Sequence, residues 1–126
     1  MRVTKTAYST LLTQAKEFRK SFGVKSSETQ VEMQKALIDE EWSEFHESYH
    51  MGTDEEELKE LCDLVYVCYQ YAANLGWDLD EAMDRVHKSN MSKLGEDDKP
   101  LYRADGKVLK GPNYQPPNLK DLIENA

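Results

Sequence analysis

A chain of 126 residues with a formal net charge of −8 fits one domain with a single modest core, which a partner subunit could extend. That charge repels nucleic-acid phosphates, and no Lys/Arg stripe with interleaved aromatics offsets it, so polymeric DNA or RNA is excluded as the main ligand. The chain has no apolar run of about eighteen residues and no signal-like order in Met1–Thr10, which predicts no membrane partner and a cytoplasmic protein.

Along the chain, Ala7, Leu11, Leu12, Ala15, Phe18 and Phe22 recur with helical spacing, predicting a first helix from Thr4 to Phe22 that Gly23 stops. Ser27 with Gln30 reads as a capping box for a second helix, whose inward stripe is Val31, Met33, Ala36, Leu37 and Phe45 and whose end lies near Tyr49, before Gly52. Thr53 with Glu56 repeats the signature, and the acidic run Asp54–Glu57 suits a helix N-terminus, so a third helix is expected to about Leu75, before Gly76. Asp78 with Glu81 opens a fourth, with Leu79, Ala82, Met83, Val86 and Met91 on one face, ending by Gly95.

All four prolines and three of the six glycines fall at or after Gly95. Residues 95–126 therefore read as a tail behind a helical core of residues 4–94. Within it Asp105-Gly106 favours a tight turn between Leu101-Tyr102-Arg103 and Val108-Leu109, and a short last helix is expected from Asn118. The fold class expected is all-α: a four-helix, bundle-like single domain with a C-terminal Pro/Gly-rich tail and a small β-hairpin. Cys62 and Cys68, the two cysteines, lie in an apolar run and are expected to be buried small hydrophobes rather than a disulfide or a zinc site.

The carboxylates break the apolar pattern. Continuing the stripe of helix two from Leu37 to Phe45 lands on Glu40, Glu41 and Glu44, which span roughly 100° or less of the helical wheel. On helix three, Asp63 sits among Leu61, Cys62, Leu64, Val65 and Tyr66, with Glu60 one turn earlier, so Asp63 is expected to be buried. Buried carboxylates must protonate, pair with a cation or bind metal. Lys35 and Lys59 are the nearby bases, too few for the group. A cluster of hard oxygens suits Mg²⁺ or Mn²⁺, which also take phosphate oxygens. The expected ligand is a metal-bound polyphosphate.

Three other readings compete. Single glutamates on a helix usually form a solvated face, which fits Glu40 or Glu47 alone better than Asp63. Di-iron bundles need Glu-x-x-His on two helices; Glu47 with His50 supplies it once, and no second helix repeats it. A non-catalytic acidic helical module that binds a basic partner is the remaining class, and a buried Asp63 argues against it.

Glu40-Glu41-Trp42-Ser43-Glu44, followed by Glu60-Leu61-Cys62-Asp63, resembles the EExxE and ExxD pair of the MazG-like all-alpha nucleotide pyrophosphohydrolases, a group related to dimeric dUTPases and phosphoribosyl-ATP pyrophosphohydrolase. Val86–Lys93, with Asp105-Gly106-Lys107 and Lys110–Tyr114 behind it, is similar to short phage-encoded members associated with genomes that replace adenine by 2-aminoadenine. The resemblance implies hydrolysis of a nucleoside triphosphate, a purine deoxynucleotide such as dGTP or dATP, to monophosphate and pyrophosphate; a dUTP- or dCTP-type pyrophosphatase is the alternative within the superfamily. It implies two or more Mg²⁺ or Mn²⁺ ions at Glu41, Glu44, Glu60 and Asp63, with Glu40 as a further member. Catalysis would fall to Glu44 and Glu41, Glu44 taking the proton of the attacking water. Lys88, Asn90 and Lys93 would meet phosphate oxygens. A homodimer or homotetramer is also implied, in host cytoplasm if phage-encoded.

Candidate walls for the base are Gln14, Phe18, Phe22 and Trp42, since aromatic faces stack and an amide can read a base edge. Ordinary core packing is the competing reading for at least two of them. From the tail, Lys107, Lys110 and Tyr114, with Tyr102, could cover a nucleotide as a lid, or serve packing alone. Arg85 simply complements a helix C-terminus, and a lone His87 is an ordinary histidine.

Overall fold

The computed structural model describes residues 9–126. Five helices follow in order: α1 (Leu11–Ser21), α2 (Glu28–Met51), α3 (Asp54–Leu75), α4 (Leu79–Met91) and the short α5 (Lys120–Glu124). The chain divides into two compact units, one ending at Leu79 and the other running from Asp80 to Ala126.

In the first unit, α1 and α2 both pack on α3. The expected caps are present: Ser27 Oγ accepts from the Gln30 amide at 3.1 Å and Thr53 Oγ1 from the Glu56 amide at 3.3 Å. Gly76 ends α3 with φ 75°, the left-handed region that glycine enters without a Cβ penalty. Helix α1 differs from the expectation. It starts at Leu11, because Thr10 Oγ1 takes the Thr13 amide at 3.2 Å and caps it there. The expected start at Thr4, and Ala7 of its stripe, lie outside the described residues.

The core is small and partly polar. Leu12, Ala15 and Tyr69 are buried together, with Ala73 and Leu79 packed against them. Beside them Arg19 Nη2 donates to Asn74 Oδ1 at 2.8 Å and Gln70 Nε2 to the Ala15 carbonyl at 3.3 Å, all three side chains being buried. Neither link is visible in the apolar spacing. On α2 the buried line runs through Gln34 and Ser48, while Met33, expected inside, is exposed. On α3, Leu61, Val65 and Tyr66 stay exposed and Cys62 is exposed rather than buried, because α1 borders that face along an open groove without covering it.

The second unit is α4 with the tail folded against it. Helix α4 stops at Met91, short of Gly95, in turns closed by the Lys93 amide to the Asn90 carbonyl and the Leu94 amide to the Met91 carbonyl. The expected hairpin reduces to one antiparallel bridge, Tyr102 with Val108, turned by Gly106 at φ 89°. Arg85 clasps the tail, donating to both carboxylate oxygens of Asp121 at 2.6 and 3.0 Å and to the Asn118 carbonyl at 3.0 Å. Ser89 Oγ donates to the Gln115 carbonyl at 2.7 Å, and the Gln115 amide to Ser92 Oγ at 3.0 Å. Arg85 thus does more than complement a helix end.

Asn74→Leu keeps the branched four-atom side chain but removes the acceptor at 2.8 Å, leaving Arg19 Nη2 only Ser26 Oγ at 3.3 Å. It should destabilise the fold by roughly 1–3 kcal/mol, the cost of leaving a buried donor unsatisfied. Chemical denaturation of the two proteins measures this; an unchanged midpoint would show that the link carries no stability.

A carboxylate cluster between the second and third helices

Helix α2 brings Glu41 and Glu44 toward Glu60 and Asp63 of α3, sixteen or more residues further along the sequence. One carboxylate oxygen each from Glu41, Glu60 and Asp63 lies within 4.8 Å of the others, and all three residues are half-buried. Glu44, one turn after Glu41, adds to the pressure on its carboxyl. Glu44 also lines, with Glu47, Ser48, Met51, Gly52, Glu56 and Glu60, an acidic cleft of about 250 Å³. Glu40 is exposed on the margin of the same helix.

Burial first, then Glu44, Asp63 and Glu60, push the Glu41 carboxyl up to about 7. Lys59 is the cation at hand. Its Nζ lies 2.6 Å from Asp63 Oδ2 and 3.4 Å from Glu60 Oε1, and these partners hold it well above the ordinary lysine range. Asp63 is therefore not the buried, unpaired acid that the apolar run suggested: its side chain is 36% exposed and rests on a lysine that is itself 65% exposed. Its α3 neighbours on that side face outward, which lets solvent and Lys59 reach it.

One lysine does not satisfy the group. Glu41 Oε2 and Glu60 Oε2 are buried with no hydrogen-bond partner, a costly state for an oxygen that carries charge. Closely spaced hard oxygens with unused lone pairs fit a divalent cation of the Mg²⁺ or Mn²⁺ kind, which binds through one or two carboxylates and completes its shell from elsewhere. Glu41, Glu60 and Asp63 are the residues that would hold it.

The other expected site residues fall into separate groups. Gln14, Phe18 and Phe22 do come together, with Tyr66, around a cleft of about 320 Å³. Phe18 stacks on Phe22 at 4.4 Å and meets Tyr66 edge-on at 5.8 Å. Tyr66, an aromatic residue three positions after Asp63, joins them although the apolar spacing alone does not single it out. Gln14 Nε2 is engaged by Ser9 and also edges an apolar groove of about 440 Å³ with Leu61, Val65 and Tyr69. Trp42 is not in that group; it is exposed on α2 beside Phe45 and His46.

In the second unit, Lys88 is paired with Asp84 at 2.7 Å, Asn90 is exposed, and Lys93 is half-buried in the turn after α4. Lys110 lies over the Tyr114 ring at 4.7 Å, and Lys107 is exposed in the turn.

The sequence matches the profile of phosphoribosyl-ATP pyrophosphohydrolase over residues 9–90, more than half of the chain. The chain belongs to that family. The match spans α1 to α3 and most of α4, so all five carboxylate candidates, Lys88 and Asn90 fall within it, whereas Lys93 and the tail lie beyond. Membership agrees with the all-α fold. An uncharacterized protein of Acanthamoeba polyphaga mimivirus is 34% identical over a 109-residue alignment covering 61% of this chain. The chain spans 39% of that relative's length. None of the described helices is long and apolar enough to cross a membrane.

The raised Glu41 pKa sets a pH dependence. Between the ordinary value of 4.5 and about 7 the folded protein holds a proton that the unfolded chain releases, so the stability of cation-free protein should fall as pH rises through that window. A divalent cation favours the ionised form and should oppose the fall. Thermal unfolding across this range, with chelator and then with Mn²⁺, reads both effects, and Glu41→Gln should flatten the chelator curve. A flat curve for the parent protein in chelator would refute the assignment of Glu41.

Proposed function

We propose that the chain hydrolyses a nucleoside triphosphate, a purine deoxynucleotide such as dGTP or dATP, to monophosphate and pyrophosphate, with two or more Mg²⁺ or Mn²⁺ ions as cofactors. The observation that carries the reading is the meeting of Glu41, Glu60 and Asp63 oxygens within 4.8 Å, two of these residues each keeping a buried oxygen without a partner.

Glu41, Glu60 and Asp63 form the cation-holding group, with Glu44 adjoining Glu41 and the exposed Glu40 at its margin. Divalent cations, when bound there, supply positive charge for the polyphosphate and for the attacking and leaving oxygens. Glu44 is assigned to take the proton of the attacking water, because a carboxylate beside Glu41 that also lines the acidic cleft is suited to proton transfer. Glu41, pushed to about 7, is the second candidate for that role. Lys59 stands on Asp63 in the absence of other cations, and its exposed stem lets it swing aside. Lys88, Asn90 and Lys93 are assigned to phosphate oxygens. Gln14, Phe18 and Phe22, joined by Tyr66, are assigned to the base, with Trp42 a separate aromatic candidate; Lys107, Lys110 and Tyr114 are assigned to the tail lid.

Product analysis across the common ribo- and deoxynucleoside triphosphates with Mg²⁺ or Mn²⁺ tests the reading. Pyrophosphate release, greatest with dGTP, is the expected outcome, and chelator should abolish it. Asp63→Asn should lower turnover and cation binding together while the cation-free fold survives, since its present partner is a solvent-exposed lysine. Release of single phosphates, or full turnover by Asp63→Asn, would refute the mechanism.

We also infer that the chain works as a homodimer or homotetramer. Leu58, Leu61 and Val65 of α3 are each between 40% and 62% exposed, open apolar surface that association would relieve. Leu61→Lys should shift sedimentation toward monomer; unchanged assembly would move the interface elsewhere.

A further inference from the structure

Helix α2 carries a second arrangement that the carboxylate chemistry does not use. His46 and His50 are four residues apart, both exposed, with ring centroids 4.7 Å apart and planes at 72°. They cap an aromatic column: Trp42 lies 6.0 Å from His46, and Tyr49 lies 5.0 Å from His50. Helical residues four apart sit one above the other on the same face, so both imidazoles can turn their nitrogens toward one point in solvent without moving the backbone. His46-Glu47-Ser48-Tyr49-His50 reproduces the spacing by which a helix presents two imidazoles to a single zinc ion.

We propose that His46 and His50 chelate one borderline transition-metal ion per chain, of the Zn²⁺, Ni²⁺ or Cu²⁺ class, at a site chemically separate from the carboxylate cluster. Imidazole nitrogen suits these metals, whereas the all-oxygen group of Glu41, Glu60 and Asp63 suits Mg²⁺ or Mn²⁺. Glu47, between the histidines in sequence, lines the acidic cleft with Glu44 and Glu60. Among the described residues no third His, Cys, Asp or Glu joins the pair within the 4.8 Å that gathers the carboxylates. Catalytic zinc sites use three protein ligands. The histidine pair therefore binds the ion with water completing the shell and does not form a peptide-hydrolysing centre.

The test is a Ni²⁺ titration of untagged protein in excess Mg²⁺, which keeps the hard-oxygen group occupied, followed by calorimetry and by tryptophan fluorescence. One equivalent of Ni²⁺ per chain is expected, with quenching from Trp42 because its ring adjoins His46; Trp42→Phe should keep the heat and lose that quenching. His46→Gln and His50→Gln should each weaken binding by at least the roughly 10- to 100-fold that changes behind a ligand already cost. His87→Gln, which alters the third histidine of the chain, and Glu41→Gln should leave it unchanged. Binding that survives both His46→Gln and His50→Gln, or that is lost in Glu41→Gln, would overturn the proposal.

Discussion

Repulsion among carboxylates held in the crease between α2 and α3 is the constraint on which the first unit turns. Glu41, Glu44, Glu60 and Asp63 are acids that folding forces together, and the Glu41 carboxyl answers by holding its proton to about 7. Such a cluster opposes folding unless something positive enters it. Lys59 answers in part from the solvent side, through Asp63 and Glu60. The oxygens of Glu41 and Glu60 that remain buried and unpaired point to a ligand with more charge than one lysine brings.

The scaffold resists that repulsion by tying α3 to its neighbours with polar links as well as apolar ones. Arg19 reaches Asn74, and Gln70 reaches the Ala15 carbonyl, so α1 is fixed to the C-terminal half of α3 while the N-terminal half carries Glu60 and Asp63. Few side chains are deeply buried: Leu12, Ala15, Tyr69 and Ala72 form the apolar core. A core of this size leaves much apolar surface on α1 and α3 in contact with water, in the same stretch of α3 that carries the acids. Covering that surface and occupying the carboxylates would each relieve an unfavourable feature of the same helix.

The second unit is organised by a different rule. Arg85 gathers Glu81, Asp121 and the Asn118 carbonyl at one guanidinium, and the hydroxyls of Ser89 in α4 and Ser92 just past it serve the Gln115 backbone, so the proline-containing tail is fastened by hydrogen bonds rather than by a core. Gly111 belongs to the same fastening: a Cβ there would stand 2.5 Å from the Leu94 carbonyl and 2.7 Å from that of Lys93. The tail candidates Lys110 and Tyr114 already engage each other within this unit.

Helix identity, the caps at Ser27 and Thr53, the stops at Gly52 and Gly76, and the acidic pair of motifs were all legible from residue spacing, because they depend on interactions within about four residues along the chain. The resemblance carried by those motifs pointed to the same superfamily that the profile match establishes. Burial was not legible in the same way. Met33 and Cys62 look interior by type yet are exposed, and Arg19, Gln34 and Asn74 look exterior yet are buried, because which face of a helix is covered depends on the other helices and not on its own period. Asp63 illustrates the limit: Lys59 and Glu60 lie within one turn of it on α3, but only packing decided that its side chain stays open to solvent and meets Glu41 of α2. The tertiary structure likewise set Glu40 apart from Glu41 and brought Tyr66 to Phe18, since a shift of one position on a helix turns a side chain by roughly 100° and so from the crease to open water.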